Sequence, residues 1–401
     1  MSSISEEYLG AVIRKIAAVN HILHWSYDQV KFENIAQNYF GVLIPIVLSG
    51  KRRGKDVKYS LVLKLAPTNE QYRVSGAVTV MFVREVYMYS VVLRKYGEIQ
   101  EGLPKTSQYI IPRCYFVHEE YCKEAIALQD MCAAGYKPYT HEMFLDLSHT
   151  LLSLKSLAKL HAFSFILKNK NQELYEEIAQ TCIPLTEHTN LRYMEIMRDR
   201  LDQALKTFDR TLYIPLLFKL RLNCAEFFYA AGHSVQNSCL CHGDIWKENI
   251  LFKYEGNKVV SACIIDYQTA RISSPAYDVM YLIISSTNTK LRNKYLHQLL
   301  DIYFRTFEMI LKELGLESKE IYSRQMFDKD LKVVSPACVI AANTALWLSN
   351  GLQEVGHVRS KNVLNTKEEK AMALDTYKGI VKAIMDDLSR FGYLSLADDN
   401  P

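Results

Sequence analysis

The stretch that decides the fold reads Cys239-Leu-Cys-His242-Gly-Asp244-Ile-Trp246-Lys-Glu-Asn249-Ile-Leu-Phe-Lys-Tyr-Glu-Gly-Asn257-Lys-Val-Val-Ser-Ala-Cys-Ile-Ile-Asp266-Tyr-Gln268. Two apolar runs, 250–254 and 259–265, flank Glu255-Gly-Asn257, a turn composition that joins antiparallel strands. Folding such a hairpin brings its open ends together, so Asn249 and Asp266 are expected at one edge. Asp244 lies five residues before Asn249, on the loop that feeds the same edge. Cys239 and Cys241 flank one leucine, which suits alternate positions of a strand better than a zinc knuckle.

Two carboxylates and an amide at one rim suit phosphoryl transfer. That reaction spreads negative charge over phosphoryl oxygens and is driven by cations and a positioned nucleophile. The carboxylate of Asp266 and the amide oxygen of Asn249 are hard ligands of the kind Mg²⁺ takes. Asp244 is the candidate catalytic base, accepting the proton of a substrate hydroxyl.

The chain around this segment is strand-rich first and helix-rich later, an α+β pattern. Residues 5–24 read as an amphipathic helix, and 38–48 and 57–66 as strands separated by the basic run Ser49-Gly-Lys-Arg-Arg-Gly-Lys-Asp56. The spacing Gly50-x-x-x-Gly54-Lys55-Asp56 lacks the gap and the Ser/Thr of a phosphate loop, so that run reads as a solvated hairpin tip. A helix over 76–95, strands near 109–118 and 124–129, and a long helix from Leu145 to Lys168 follow. The pattern is then mostly helical to Phe391, with 238–266 as the strand-forming interruption.

Composition bounds the remainder. The chain has 401 residues and a formal net charge of +4, too small to imply a nucleic-acid or membrane partner. Glycine (16) and proline (10) are scarce, which argues against linker-rich or all-β designs and against a glycine-rich phosphate loop. Nine cysteines without a C-x-x-C pair point to a reduced, cytoplasmic protein. The apolar run Tyr39 to Leu48 contains Pro45 and is far shorter than a bilayer span, and no signal peptide is visible at Met1.

His242-Gly-Asp-Ile-Trp-Lys-Glu-Asn249 and Asp266-Tyr-Gln268 resemble the catalytic motifs of the ecdysteroid kinase-like family of insects. That family belongs with the choline kinases and aminoglycoside phosphotransferases. The resemblance implies a two-lobed protein-kinase-like fold, with a nucleotide-binding lobe over 1–130 and a catalytic lobe over 131–401. It implies Mg-ATP as phosphoryl donor, a small-molecule hydroxyl as acceptor, and a monomer. It further implies that Lys64, in the apolar strand Leu61-Val-Leu-Lys-Leu-Ala66, contacts the phosphates and is held by Glu85, a charge in an apolar helix. A buried charge is costly unless paired, so each of the two accounts for the other.

By the same resemblance Gln129 and Met131, in Leu128-Gln-Asp-Met131, meet the adenine at the hinge. Asn38, in Ala36-Gln-Asn38-Tyr39-Phe-Gly41, belongs to the loop over the phosphates, where the family pattern is only partly kept. His242 and Asp278 are scaffold residues of the catalytic loop, and His161 is a core histidine. Trp246, Tyr277, Asn343, Trp347 and Asn350 are candidates for the acceptor pocket.

A protein kinase is disfavoured, since Trp246 stands where those enzymes place lysine and no G-x-G-x-x-G or Ala-Pro-Glu is present. Two other readings stay open at this level: a catalytically silent small-molecule binder on the same fold, and a choline/ethanolamine-type kinase. Among hydroxyl acceptors, a small and largely apolar molecule such as an ecdysteroid or a xenobiotic alcohol is expected.

Overall fold

A computed structural model describes residues 4–31, 41–75, 77–353 and 364–395. Helix α1 (Glu6–Val19) starts at Ser5, whose side chain accepts the Tyr8 N–H, and carries Glu6 and Glu7 at its positive end. It stops short of the expected residue 24: His21 takes a φ of 54°, and the chain turns into strand β1 (Leu23–Gln29). Strands β2 (Val42–Arg52) and β3 (Lys55–Leu65) form a hairpin closed by Arg53 and Gly54, both at positive φ (50° and 75°). This tight turn extends the ladder through the basic run, which is mostly strand rather than loop.

The expected helix over 76–95 is present as one helical run from Val78 to Ile99, with a π-helical turn inside it. Helices α2 (Glu70–Ser75) and α3 (Val78–Tyr87) lead through a π-helical turn at Met88–Val92 into α4 (Leu93–Ile99). Strands β4 (Cys114–His118) and β5 (Ala125–Gln129) complete one antiparallel sheet in the order β1-β2-β3-β5-β4. One face of this sheet is packed by α1 through Leu9, Val12, Ile13 and Ile16. Strand β6 (Tyr136–Pro138) then carries the chain out of the first lobe.

The second lobe is mostly helical. Helices α5 (Leu147–Lys170), α6 (Gln172–Thr181), α7 (Leu191–Thr207), α8 (Ile214–Leu222) and α9 (Cys224–His233) precede the β-rich interruption. There β7 (Cys239–Cys241), β8 (Ile250–Glu255), β9 (Lys258–Ile264) and β10 (Arg271–Ser273) follow in turn. Strand β6 extends the β8-β9 hairpin to three strands, and β7 pairs with β10. Helices α10 (Pro275–Ser286), α11 (Thr289–Glu313), α12 (Ser318–Ile321), α13 (Arg324–Ser349) and α14 (Lys367–Arg390) close the lobe. The fold is thus α+β and two-lobed, with a β-rich first lobe and a helical second one.

The core of the second lobe is built on α10, in which every residue from Pro275 to Ser286 is buried. It serves as a central strut: α5 and α13 pack on it, and the loop after β7 rests against it. Helices α5 and α13 are long and apolar enough to cross a membrane by length and composition. Yet 78% of the most apolar stretch of each is buried inside the protein. Their apolar surface is used for packing in the core.

Candidate active site

Strands β8 and β9 pair from Ile250 opposite Ile264, and the Ile265 N–H donates to the Asn249 carbonyl at 3.0 Å. That contact pins the open end of the hairpin, so Asn249 and Asp266 stand side by side. Asp266 sits at φ 69°, in the left-handed region that a side chain normally avoids. Such a conformation costs on the order of 1 kcal/mol and is characteristic of functional positions.

The loop from His242 to Asn249 is held by α10 from beneath. The Asp278 carboxylate accepts the main-chain N–H of His242 at 2.6 Å and that of Gly243 at 2.9 Å. It also accepts from His161 Nε2 at 3.1 Å, whose Nδ1 meets the Tyr303 hydroxyl. Gly243 lies at φ 85°, and a Cβ there would come within 2.3 Å of the Thr269 carbonyl, so no other residue fits. The buried His242 ring donates from Nε2 to the Ile265 carbonyl and accepts the Asp244 N–H at Nδ1 (3.3 Å). Burial lowers its pKa, which fits this neutral form. His242 therefore ties the loop to the end of β9.

Asp244 projects from this loop into a cleft between the lobes. Its Oδ1 accepts the Tyr281 hydroxyl at 2.8 Å, and the Asn249 amide nitrogen donates to its main-chain carbonyl at 2.8 Å. Burial pushes the Asp244 carboxyl up to about 7, with Asp266 adding to the effect and the Tyr281 hydrogen bond opposing it. Because the Asn249 nitrogen is engaged by the loop, its amide oxygen is the atom left to face a cation beside Asp266.

Across the cleft, Lys64 on β3 pairs with Glu85 on α3 and reaches Asp266 Oδ1 at 2.8 Å and Gln268 Oε1 at 3.3 Å. Burial works against the charge on Lys64, but Asp266 and Glu85 outweigh it and raise its pKa. Gly41 lies against this lysine: a Cβ there would meet the Leu65 carbonyl at 3.2 Å and Lys64 Cγ at 3.4 Å. Asn38 lies outside the described residues.

The cleft encloses about 230 Å³ and has two ends. Toward the sheet, Leu43, Val62 and Leu128, together with Met131, Leu251 and Ile265, give the cleft an apolar lining. Gln129 and Met131 both line it, and the Gln129 side chain turns back toward the Arg113 N–H at 3.4 Å. The Met131 carbonyl accepts the Tyr136 N–H, which closes the turn out of the sheet. At the other end Trp246, Tyr193, Met197, Ala341, Ala345 and Leu348 form a second apolar compartment, with Asp244 between the two.

Of the residues expected at the acceptor pocket, only Trp246 is there. Tyr277 is fully buried with its ring over the Arg271 guanidinium at 4.6 Å. Asn343 Oδ1 accepts the Tyr377 hydroxyl, and Trp347 packs edge-on against the same tyrosine. Asn350 caps the end of α13. The reason is rotational: Ala341, Thr344, Ala345 and Leu348 form the face of α13 that meets the cleft, while Asn343 and Trp347 face α14.

Tyr281, Tyr193 and Met197 are contributors that the sequence reading missed. Tyr281 carried a usable signal, because it follows Asp278 by one helical turn and so shares its face. The α7 residues carried none. His161, Cys239 and Cys241 bring metal-ligand atoms within 4.8 Å of one another. Both ring nitrogens of His161 are already engaged, and Cys241 Sγ donates to the Ser273 and Ser274 carbonyls, so this group is packed as core.

Residues 36–316 match the ecdysteroid kinase-like family. The chain belongs to that family. No curated protein sequence matches it. Among solved structures, wild-type aminoglycoside 2'-phosphotransferase-IIIa in its GDP complex is similar at 14% identity. That match covers 94% of this chain and 98% of the other, with a TM-score of 0.41. Choline kinase LicA from Streptococcus pneumoniae is 11% identical over 95% of this chain and 100% of its own, at a TM-score of 0.40. A glucosamine kinase in complex with glucosamine, ADP and inorganic phosphate is 11% identical. It covers 98% of this chain and 84% of its own, at a TM-score of 0.38. The loop and hairpin described above lie within the residues that match the ecdysteroid kinase-like family.

Proposed function

We propose that the protein is a small-molecule kinase that moves the γ-phosphoryl group of ATP to a hydroxyl of a largely apolar acceptor. Ecdysteroids and xenobiotic alcohols are the acceptor classes in view. The observation that carries this reading is the meeting of Lys64, Asp244, Asn249 and Asp266 in one cleft that has an apolar compartment on either side. Family membership supports it independently.

The base of ATP would lie between Leu43, Val62, Leu251 and Ile265, with the hinge main chain at its edge. Lys64 would turn its charge from Asp266 to the phosphates while Glu85 keeps it in place. The Asn249 amide oxygen and the Asp266 carboxylate fit a divalent cation by donor type. A bound Mg²⁺ supplies charge neutralisation for the phosphate oxygens. Asp244 would accept the acceptor hydroxyl's hydrogen bond. As the oxygen bonds to the γ-phosphorus and the bond to the β-phosphate oxygen breaks, Asp244 takes the proton and ADP leaves. The apolar walls formed by Trp246, Met197 and Leu348 exclude water, which would otherwise compete as acceptor.

The test is ADP formation from Mg-ATP with a panel of ecdysteroids, sterols, small alcohols, choline and ethanolamine. Acceptor-dependent ADP formation with an apolar alcohol is the expected result. Turnover with choline alone would replace the acceptor class. Tight binding of a panel member with no turnover would replace the kinase by a binding protein.

A further inference from the structure

Asp244 has an unusual support. Its carboxylate is half-buried in the wall of the cleft, where a side chain needs something to fix its orientation. Asn249 reaches Oδ2 only at 3.5 Å, a marginal contact, because its amide nitrogen is directed to the Asp244 main-chain carbonyl. The close side-chain donor is Tyr281, at 2.8 Å from Oδ1.

Tyr281 is itself rigidly placed. It is fully buried on α10, and its ring stacks on Tyr277 with centroids 6.0 Å apart and an interplanar angle of 28°. Tyr277 in turn lies on the Arg271 guanidinium. One turn earlier on the same face of α10, Asp278 holds the main chain of His242 and Gly243. A single buried helix therefore grips the loop by its backbone, at His242 and Gly243 through Asp278 and at Lys247 through Ser286 Oγ (2.9 Å), and also by the side chain of Asp244.

We propose that Tyr281 is a positioning residue for phosphoryl transfer: its hydroxyl occupies Asp244 Oδ1 and so directs Oδ2 to the acceptor. This rests on the kinase reading above. The geometry distinguishes it from a packing role, since the neighbouring Tyr277 hydroxyl is equally buried and has no hydrogen-bond partner among the described residues. Removing the two hydroxyls one at a time separates orientation from packing. A base held in one rotamer acts on a hydroxyl already in contact, whereas a rotating one must find it at each turnover.

The experiment compares wild type, Tyr281→Phe and Tyr277→Phe. The readouts are kcat and KM with the best panel acceptor, Mg-ATP affinity by calorimetry, melting temperature, and the Asp244 rotamer in crystal structures. Tyr281→Phe is expected to lower kcat at least about tenfold. Mg-ATP affinity and acceptor KM should stay within twofold, and the Asp244 carboxylate should leave its wild-type orientation. Tyr277→Phe is expected to leave kcat and the rotamer unchanged. An unchanged kcat in Tyr281→Phe, an unchanged rotamer, or equal losses in both variants overturns the proposal. Should Tyr281→Phe fail to fold, 4-fluorophenylalanine in place of Tyr281 fills the space of the hydroxyl without donating, and an unaltered kcat then overturns it. If no panel acceptor turns over, the kinase reading fails by itself, and the rotamer comparison still decides the positioning role.

Discussion

Lys64 Nζ lies 2.8 Å from Asp266 Oδ1, a contact between residues 202 positions apart in the chain. It joins the sheet of the first lobe to the end of the β8-β9 hairpin in the second. Lys64 also holds the buried Glu85, so one cation serves two carboxylates in a site that water barely reaches. Removing it leaves buried negative charge uncompensated.

Lys64→Met is therefore expected to weaken Mg-ATP binding at least about tenfold, the scale of one lost charge-assisted hydrogen bond. It should also lower stability by about 3 kcal/mol, as breaking a buried pair does. Adding Glu85→Leu should recover part of the stability and none of the affinity. Calorimetry and denaturant melts check both, and unchanged affinity in Lys64→Met would remove this residue from the nucleotide site.

Asp244 and Asp266 should separate on substitution although they share the cleft. Asp244→Asn keeps the cation ligands and removes the proton acceptor. Turnover should fall by about 10²-fold or more, with Mg-ATP affinity little changed. Asp266→Ala should lose Mg-ATP affinity as well as turnover. Equal effects of the two variants on binding would sink the division of roles.

The two faces of α13 make opposite predictions. Ala345→Phe puts a ring into the acceptor compartment and should raise acceptor KM or abolish turnover while Mg-ATP binding persists. Asn343→Ala takes the partner from the buried Tyr377 hydroxyl and should cost about 1–3 kcal/mol of stability with acceptor KM unchanged. Steady-state kinetics beside thermal melts distinguishes the pair.

His161 supplies a pH signature. Burial opposes its protonation, but the hydrogen-bonded Asp278 carboxylate favours the charged ring and pushes it up to about 9. The ordinary value is about 6.5. A pKa raised by folding favours the native state wherever the group is charged. The contribution is complete below pH 6.5 and disappears as pH rises through about 9. Denaturant melts between pH 6 and pH 9 should show this decline in wild type and not in His161→Gln.

Much of the site was readable because its geometry is local. Asp244, Asn249 and Asp266 lie within one loop and one hairpin, and hairpin pairing alone brings the last two together. Lys64 and Glu85 were readable for another reason: each is a charge in an apolar element, and burial makes such charges seek one another. The fold class followed from the strand-rich start and helix-rich remainder. The π-helical turn between α3 and α4 was not readable, nor was the switch from α1 into β1. Both depend on how the helices pack against their sheet.

The amino-acid sequence by itself determined the rim where Asp244, Asn249 and Asp266 meet, since turn chemistry and two-residue strand alternation act over a few residues and need no distant partner. Only the tertiary structure decided where the second apolar compartment of the cleft lies. From Ala337 to Leu348 every residue of α13 is buried, so this stretch has no polar face to mark its orientation. Packing against α7, α10 and α14 set its rotation, turning Ala341, Thr344 and Ala345 to the cleft and Asn343 and Trp347 away from it. The same packing brought Tyr281 under Asp244, because a buried helix orients its side chains by what it touches.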